Sequence, residues 1–466
     1  MSRKSKTLII VLGILVLLGG GYFGSTLWNK KKASAEKPSY SPPAELGNLE
    51  SSALVKIEGP GITIEKKGET WELTYLAKGI PPGGIELDQS QIEFLTFSLA
   101  QVWVESVVDE KPGDLSVYGL DKPSSRTVIT DSSGKQVAYI LGDMSPSRNA
   151  YYLMQEGDPR VFTVSAPTAA YMQFFLSGIR KHTLFPSFEL AALKRLRIDS
   201  GETHIEINAK EKSLEPQLAF PYATHILSSP YKNPRGINSE VLNNIVKSLS
   251  NLTIADFIDD NPSSLQPFGL DKPARVFLQT DAQSLELLIG AEVNGKRYAK
   301  LPNAPGVFTL GGMDTVINVK PFDLFDKFVL LVNIDWVDHL TVSGGEKELS
   351  VDFQGKGDDA VYSLNGRKAE SKSFKDFYQA VIGILVDAEI PKGSTVPAQN
   401  SGNTETGNIT IEYRLNTPPG ARASITFIPY NREFYALKQE GAVEFLISRD
   451  QVRKIFETAD TIKYGE

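Results

Sequence analysis

The chain contains no cysteine, which excludes disulfide frameworks, thiolate metal sites, iron–sulfur clusters and cysteine nucleophiles together. Histidine is scarce. His182, His204, His225 and His339 are the four present, and each stands alone in sequence. An isolated strand or helix-end histidine reads as structural, because metal sites and acid–base pairs need partners nearby. A basic block is also missing: Lys plus Arg is 49 against 56 for Asp plus Glu, a net charge of -7. The chain therefore lacks the phosphate-neutralising surface of a nucleic-acid binder. No GxxxxGK[ST] phosphate loop, GxGxxG after a strand, GxSxG elbow or HExxH motif occurs, so none of those chemistries has its local signature. The sequence nominates no catalytic residue, no cofactor and no metal. Carboxylate pairs are too common in it to single out a glycosidase pair without geometry.

What is present begins with an uncharged run, Thr7–Trp28. As a helix it would measure about 33 Å, enough for a hydrocarbon core of about 30 Å. Its apolar residues are Leu8, Ile9, Ile10, Val11, Leu12, Ile14, Leu15, Val16, Leu17, Leu18, Tyr22, Phe23, Leu27 and Trp28. Arg3, Lys4 and Lys6 precede the run and Lys30, Lys31 and Lys32 follow it. The flanks nearly balance, so charge alone does not set orientation. Residues 1–31 are read as a cytoplasmic stub and single transmembrane anchor, with the globular remainder outside the cytoplasmic membrane. The rival reading is a signal peptide cleaved at Ala33-Ser34-Ala35, but the run exceeds the usual apolar core of such peptides. Residues 32–49 are rich in Pro, Ser and Ala and read as an extended spacer.

The rest is repetitive. Asp109–Pro123 (DEKPGDLSVYGLDKP) matches Asp259–Pro273 (DDNPSSLQPFGLDKP) at eight of fifteen positions. Leu99-x-x-Val102 matches Leu249-x-x-Leu252 upstream, and Tyr139–Gly142 matches Leu287–Gly290 downstream. A degenerate third copy lacks the GLDKP turn and carries a Ser/Thr/Asn/Gly-rich stretch in its place. The boundaries read as 50–187, 188–332 and 333–466. Alternating runs such as Trp71-Glu72-Leu73-Thr74 predict half-buried strands. Asp88 with Gln91 marks a helix start before the stripe Ile92, Leu95, Leu99, as do Asn238 or Ser239, and Ser373 with Asp376, in the other copies. A closing helix is expected near 166–179, with Pro167 in its first turn. Phe322, Phe325 and Phe328 read as the core of the corresponding helix. The fold expected is α+β: an N-terminal transmembrane helix, then three tandem, mainly antiparallel-sheet repeats, each with two main helices.

The shared turn has a backbone explanation. Pro112 and Pro262 suit the start of a short helix. Gly119 and Gly269 suit the left-handed residue just past its end. Leu115 with Leu120, and Leu265 with Leu270, then fall where a Schellman motif makes its apolar contact. Tyr118 and Phe268 add an aromatic, and Pro123 and Pro273 stop the helix. Asp121, Lys122, Asp271 and Lys272 have no such reason. Calcium binding by Asp109, Glu110 and Asp114, or by Asp259, Asp260 and Asp271, lacks the alternating spacing of a twelve-residue loop.

The order of apolar anchor, Pro-rich spacer, W-x-L (Trp71-Glu72-Leu73), V-V-D-E (Val107–Glu110) and Y-G-L-D-K-P (Tyr118–Pro123) resembles domain-of-unknown-function family 4340. The resemblance covers the first two copies well and the third in hydrophobic pattern. It implies a membrane-anchored bacterial protein, with some relatives accompanying auxiliary components of ABC-type export systems, and it supplies no catalytic residue. Three functions stay open: an interaction or accessory subunit, with an ABC-type transporter as candidate partner; an envelope hydrolase acting on wall or surface polymers; or a structural spacer. Aromatics such as Tyr151, Tyr152, Tyr171, Phe174, Phe175, Tyr430, Phe434 and Tyr435 serve either as core or as a groove for a partner.

Overall fold

The computed structural model describes residues 45–77, 85–146, 149–210, 222–344, 347–394, 396, 407–416 and 419–465. They form two compact units, divided between Lys181 and His182.

In the first unit the strands Leu54–Gly59, Ile62–Lys67 and Thr70–Leu76 make a meander. The chain then leaves the sheet for the helix Gln89–Ala100 and returns as the short strand Ser106–Asp109. A second meander follows: Ser125–Asp131, Gln136–Met144, Ala150–Gln155 and Val161–Ser165. Leu54–Gly59 pairs with Ser125–Asp131, joining the two meanders, and Val161–Ser165 pairs with Ser106–Asp109, which forms one edge. Every pairing is antiparallel. One face of the sheet closes on the helix: Ile57, Ile64, Leu73, Ile129, Tyr139, Leu153 and Phe162 are buried with Ile92, Leu95 and Leu99.

The helix is held at both ends. Asp88 Oδ1 accepts from the N–H groups of Ser90 and Gln91, satisfying donors that a helix start leaves unpaired. Gln89 clamps the backbone of Trp71, accepting from its N–H at 2.8 Å and donating to its carbonyl at 3.1 Å. At the other end the Tyr139 hydroxyl donates to the Leu99 carbonyl at 2.7 Å, and Leu49 N–H to that of Ala100.

The second unit contains two nine-stranded sheets with the same strand order as the first sheet, each extended by a two-residue strand at the far end of its first meander. One is centred on Leu193–Ser200 and Ala274–Thr280, the other on Val337–Gly344 and Ile409–Asn416. Their helices, Ser239–Leu249 and Ser371–Ile382, occupy the same step in the chain. Isolated bridges recur at equivalent places in all three sheets: Leu87 with Arg180, Ile237 with Phe325, and Ala369 with Tyr464. The two sheets of the second unit share one continuous apolar core. Between them Tyr231 packs on Phe325 and Phe445, with ring centroids 5.4 and 4.9 Å away. The buried Arg235 lies over the Phe445 ring and donates from Nη1 to Gln439 Oε1 at 2.9 Å.

The expected fold class needs correction. Antiparallel strand dominates the described residues, and no described helix is long and apolar enough to cross a membrane. The anchor expected from Leu8 to Trp28, like most of the spacer, lies outside the described residues. Two main helices per repeat are not what forms either. The expected helix at 166–179 is two short pieces, Ala166–Met172 and Leu176–Ile179. The break has a cause: the Met172 carbonyl accepts from the buried hydroxyls of Ser125 and Thr127, so the sheet, not a further helical turn, satisfies it. In the second sheet the pieces are Asp314–Ile317 and Pro321–Leu324, and Pro321 forces the preceding Lys320 out of the helical region. Phe322, Phe325 and Phe328 consequently do not share one helix. Phe325 and Phe328 instead bridge to Ile237 and Leu385. Only the third sheet has an unbroken closing helix, Arg449–Asp460. Its other helix starts at Ser371, so Ser373 lies inside the first turn and is not its cap.

Candidate interaction face

The duplicated turn is a tight 3-10 turn docked on the sheet. Residues Leu115–Tyr118 form it in the first unit, with Asp114 as cap, and Gln266–Phe268 in the second. Pro112 and Pro262 therefore precede the turn and do not open it. Gly119 and Gly269 have φ of 66° and 64°, in the left-handed region where glycine carries no Cβ penalty. Leu120 N–H donates to the Leu115 carbonyl and Gly119 N–H to that of Ser116; Leu270 and Gly269 repeat this with Leu265 and Gln266. Tyr118 packs edge-on against Tyr152, as Phe268 does against Tyr298.

The acids before the turn also have structural work. Asp109 Oδ1 accepts from Lys111 N–H and Oδ2 from the Tyr118 hydroxyl at 3.0 Å. Asp259 accepts from Asn261 N–H, and Asp114 from Ser116 N–H. Asp121, Lys122, Asp271 and Lys272 lie in exposed bends, and nothing among the described contacts explains their identity in both copies. Among the described residues no group of three or more His, Asp or Glu side chains is placed to hold a metal.

The histidines are dispersed. His204 pairs with Asp199 across adjacent strands, and His339 Nδ1 lies 2.8 Å from Asp352 Oδ1 in a similar cross-strand pair. His182 Nδ1 is 2.9 Å from the Ile254 carbonyl. His225 is buried, with Nε2 2.9 Å from the Leu193 carbonyl, and burial holds its pKa below the ordinary histidine value. These contacts link strands and loop backbone; none joins two histidines.

The feature that packing does not account for is an aromatic groove in the first unit. It runs between the helix Gln89–Ala100 and the two pieces of the broken closing helix, with a volume of about 510 Å³. Leu95, Tyr171, Phe174 and Phe175 are among its walls, and Gln91 and Gln173 are its amides. Its lining contains no Asp, Glu, Lys, Arg or His. Phe175 is 69% exposed at the groove. One helical turn beyond Gln91 comes Phe94, and one turn beyond that Phe97, exposed by 63% and 65%. Trp103, just past the helix, is 52% exposed. Phe94 and Phe97 are not part of the groove lining; they continue from its Gln91 wall along the exposed side of the helix, beside the exposed Glu93.

The fold does not demand this face. Counting from the equivalent bridges at Leu87, Ile237 and Ala369, Phe94 corresponds to Asn244 and Asp376, and Phe97 to Lys247 and Gln379, all exposed. Counting back from Arg180 and Phe325, Phe175 corresponds to the exposed Lys320. Sequence reasoning named Tyr171, Phe174 and Phe175 but missed Phe94 and Phe97. The signal lay in the helix itself, where both fall off the buried Ile92–Leu95–Leu99 stripe.

Repeated antiparallel sheets, the first of them bordered by an aromatic groove, define a modular protein. The chain belongs to the family described as Domain of unknown function (DUF4340), whose model matches residues 71–273 and again 227–397. Both matches begin in the corresponding strand of a sheet, at Trp71 in Thr70–Leu76 and at Leu227 in His225–Ser229. No curated protein and no solved structure matches the chain.

Proposed function

We propose that this chain is a membrane-tethered interaction protein of the cell envelope, an accessory subunit. The observation that carries the reading is the aromatic face of the first unit: three exposed phenylalanines where the second sheet has Asn244, Lys247 and Lys320. Burying such a surface against an apolar partner gains roughly 25 cal/mol per Å². The uncharged run Thr7–Trp28 is the tether, and the globular part lies outside the cytoplasmic membrane. Family resemblance makes subunits of an ABC-type transporter the candidate protein partners.

The test is mild crosslinking of the full chain in its native membrane, followed by affinity capture. The expected result is one membrane protein recovered reproducibly; repeated capture of none overturns the reading. Protease shaving of intact cells checks topology, and a protected C-terminal tag would place the globular part on the opposite side.

A further inference from the structure

Resting on the tethered reading above, we propose that the aromatic face of the first unit lies against the lipid bilayer, with Phe94, Phe97 and Phe175 at its interface. Three observations select a lipid surface as the occupant. The first is where the chain enters. Glu45 and Leu46 pair with Trp103 and Val102, immediately after the helix that carries Phe94 and Phe97. Residues 29–44 separate that entry from Trp28, and sixteen residues span at most about 58 Å even when fully extended. The face is thus carried by the unit tied closest to the tether.

The second observation is the change along the chain. Phe94, Phe97 and Phe175 are replaced by amide or charged residues at the same backbone positions in the second sheet, and Phe94 and Phe97 again in the third. At the positions of Phe94 and Phe97 both later copies, and at that of Phe175 the second, present solvated side chains; the exposed apolar residues of those copies, such as Tyr222, Ile258 and Leu385, lie at other positions.

The third is chemistry. The groove lining is rich in aromatic rings and holds no charged group, and aromatic rings are favoured at the membrane–water interface. Covalent tethering makes the contact intramolecular, so modest apolar burial suffices to hold the face down.

The absence of cysteine makes the test direct. Single cysteines are introduced in the full chain at Phe94, Phe97 and Phe175, and separately at Asn244, Lys247 and Lys320, and each is labelled with an environment-sensitive fluorophore. The proteins are reconstituted into phosphatidylcholine vesicles with and without nitroxide-bearing phosphatidylcholine. All six positions are exposed, so labelling leaves the core intact, and circular dichroism checks each variant. The expected result is a blue shift and loss of most fluorescence to the nitroxide lipid at the three phenylalanine positions, with little change at the other three. Flotation with the vesicles but no selective quenching overturns the proposal while leaving the tether standing. Failure to float overturns the tethered reading and this proposal with it. A benzophenone at Phe94 that yields a protein adduct in native membranes, without lipid quenching in vesicles, assigns the face to a protein and also overturns it.

Discussion

The carbonyl oxygen of Tyr118 lies so close over Gly142 that a Cβ there would come within 2.2 Å of it, and Phe268 and Gly290 repeat the arrangement at 2.1 Å. The duplicated turn is thus pressed onto the backbone of a neighbouring strand in both units. It is this approach that requires a glycine at the end of Tyr139-Ile140-Leu141-Gly142 and of its counterpart Leu287–Gly290.

Gly142→Ala is therefore expected to destabilise the first unit by about 1–3 kcal/mol through overpacking, and Gly290→Ala the second by a similar amount. Gly178→Ala serves as control, since nothing lies within 4 Å of a Cβ there. Chemical denaturation followed by a probe in each unit reads the effect. A stable Gly142→Ala protein would show that the turn is not docked as described.

Tyr231 donates its hydroxyl to Glu389 at 2.7 Å while its ring packs between Phe325 and Phe445. Removing the hydroxyl in Tyr231→Phe should cost about 0.5–1.5 kcal/mol. Tyr231→Ala should cost about 3–5 kcal/mol, because it also opens the core between the two sheets of the second unit. Comparing the two by urea unfolding separates the hydrogen bond from the packing.

His225 supplies a pH dependence with a defined sign. Burial holds its folded pKa below the ordinary value of 6.5, against a smaller opposing effect from the hydrogen bond to Leu193, and Lys194 lowers it further. The unfolded chain then binds a proton more readily than the folded one. The contribution of His225 is fully present above the unfolded pKa and is lost as pH falls from there towards the depressed folded pKa. Unfolding of the second unit should show this loss on acidification, and His225→Gln should flatten the difference. An unchanged slope in the variant would mean that His225 titrates normally.

Phe94→Asn and Phe97→Lys install the residues of the second sheet at the same positions. Both side chains are solvent-exposed, so each change should alter stability by less than about 0.5 kcal/mol. Phe174→Asn, at a position only 7% exposed, should be far more damaging. Thermal unfolding of the three variants distinguishes an interaction face from a misjudged piece of core.

Much of the local structure was legible. The Asp88 and Asn238 caps follow from side chains that compete for nearby backbone donors. The left-handed glycines of the turn follow from their missing Cβ. Both depend on residues a few positions apart. Other features were not legible for a matching reason. The closing helix of the first unit reads as continuous because its interruption is imposed by Ser125 and Thr127, some 45 residues earlier, reaching the Met172 carbonyl. The phenylalanines at 322, 325 and 328 have helical spacing, yet two of them are drawn into bridges with Ile237 and Leu385. Phe94 and Phe97 look like ordinary helix aromatics until burial shows which stripe faces the sheet.

The amino-acid order alone thus determined the absence of thiol chemistry, the uncharged N-terminal run, the duplicated turn and the family resemblance, because composition and short-range stereochemistry need no partner to act. Tertiary structure decided where helices stop, which aromatics are core, and that Phe94, Phe97 and Phe175 stay exposed. Those outcomes depend on which distant groups satisfy a carbonyl or cover a ring, and that is settled only when the sheet has closed.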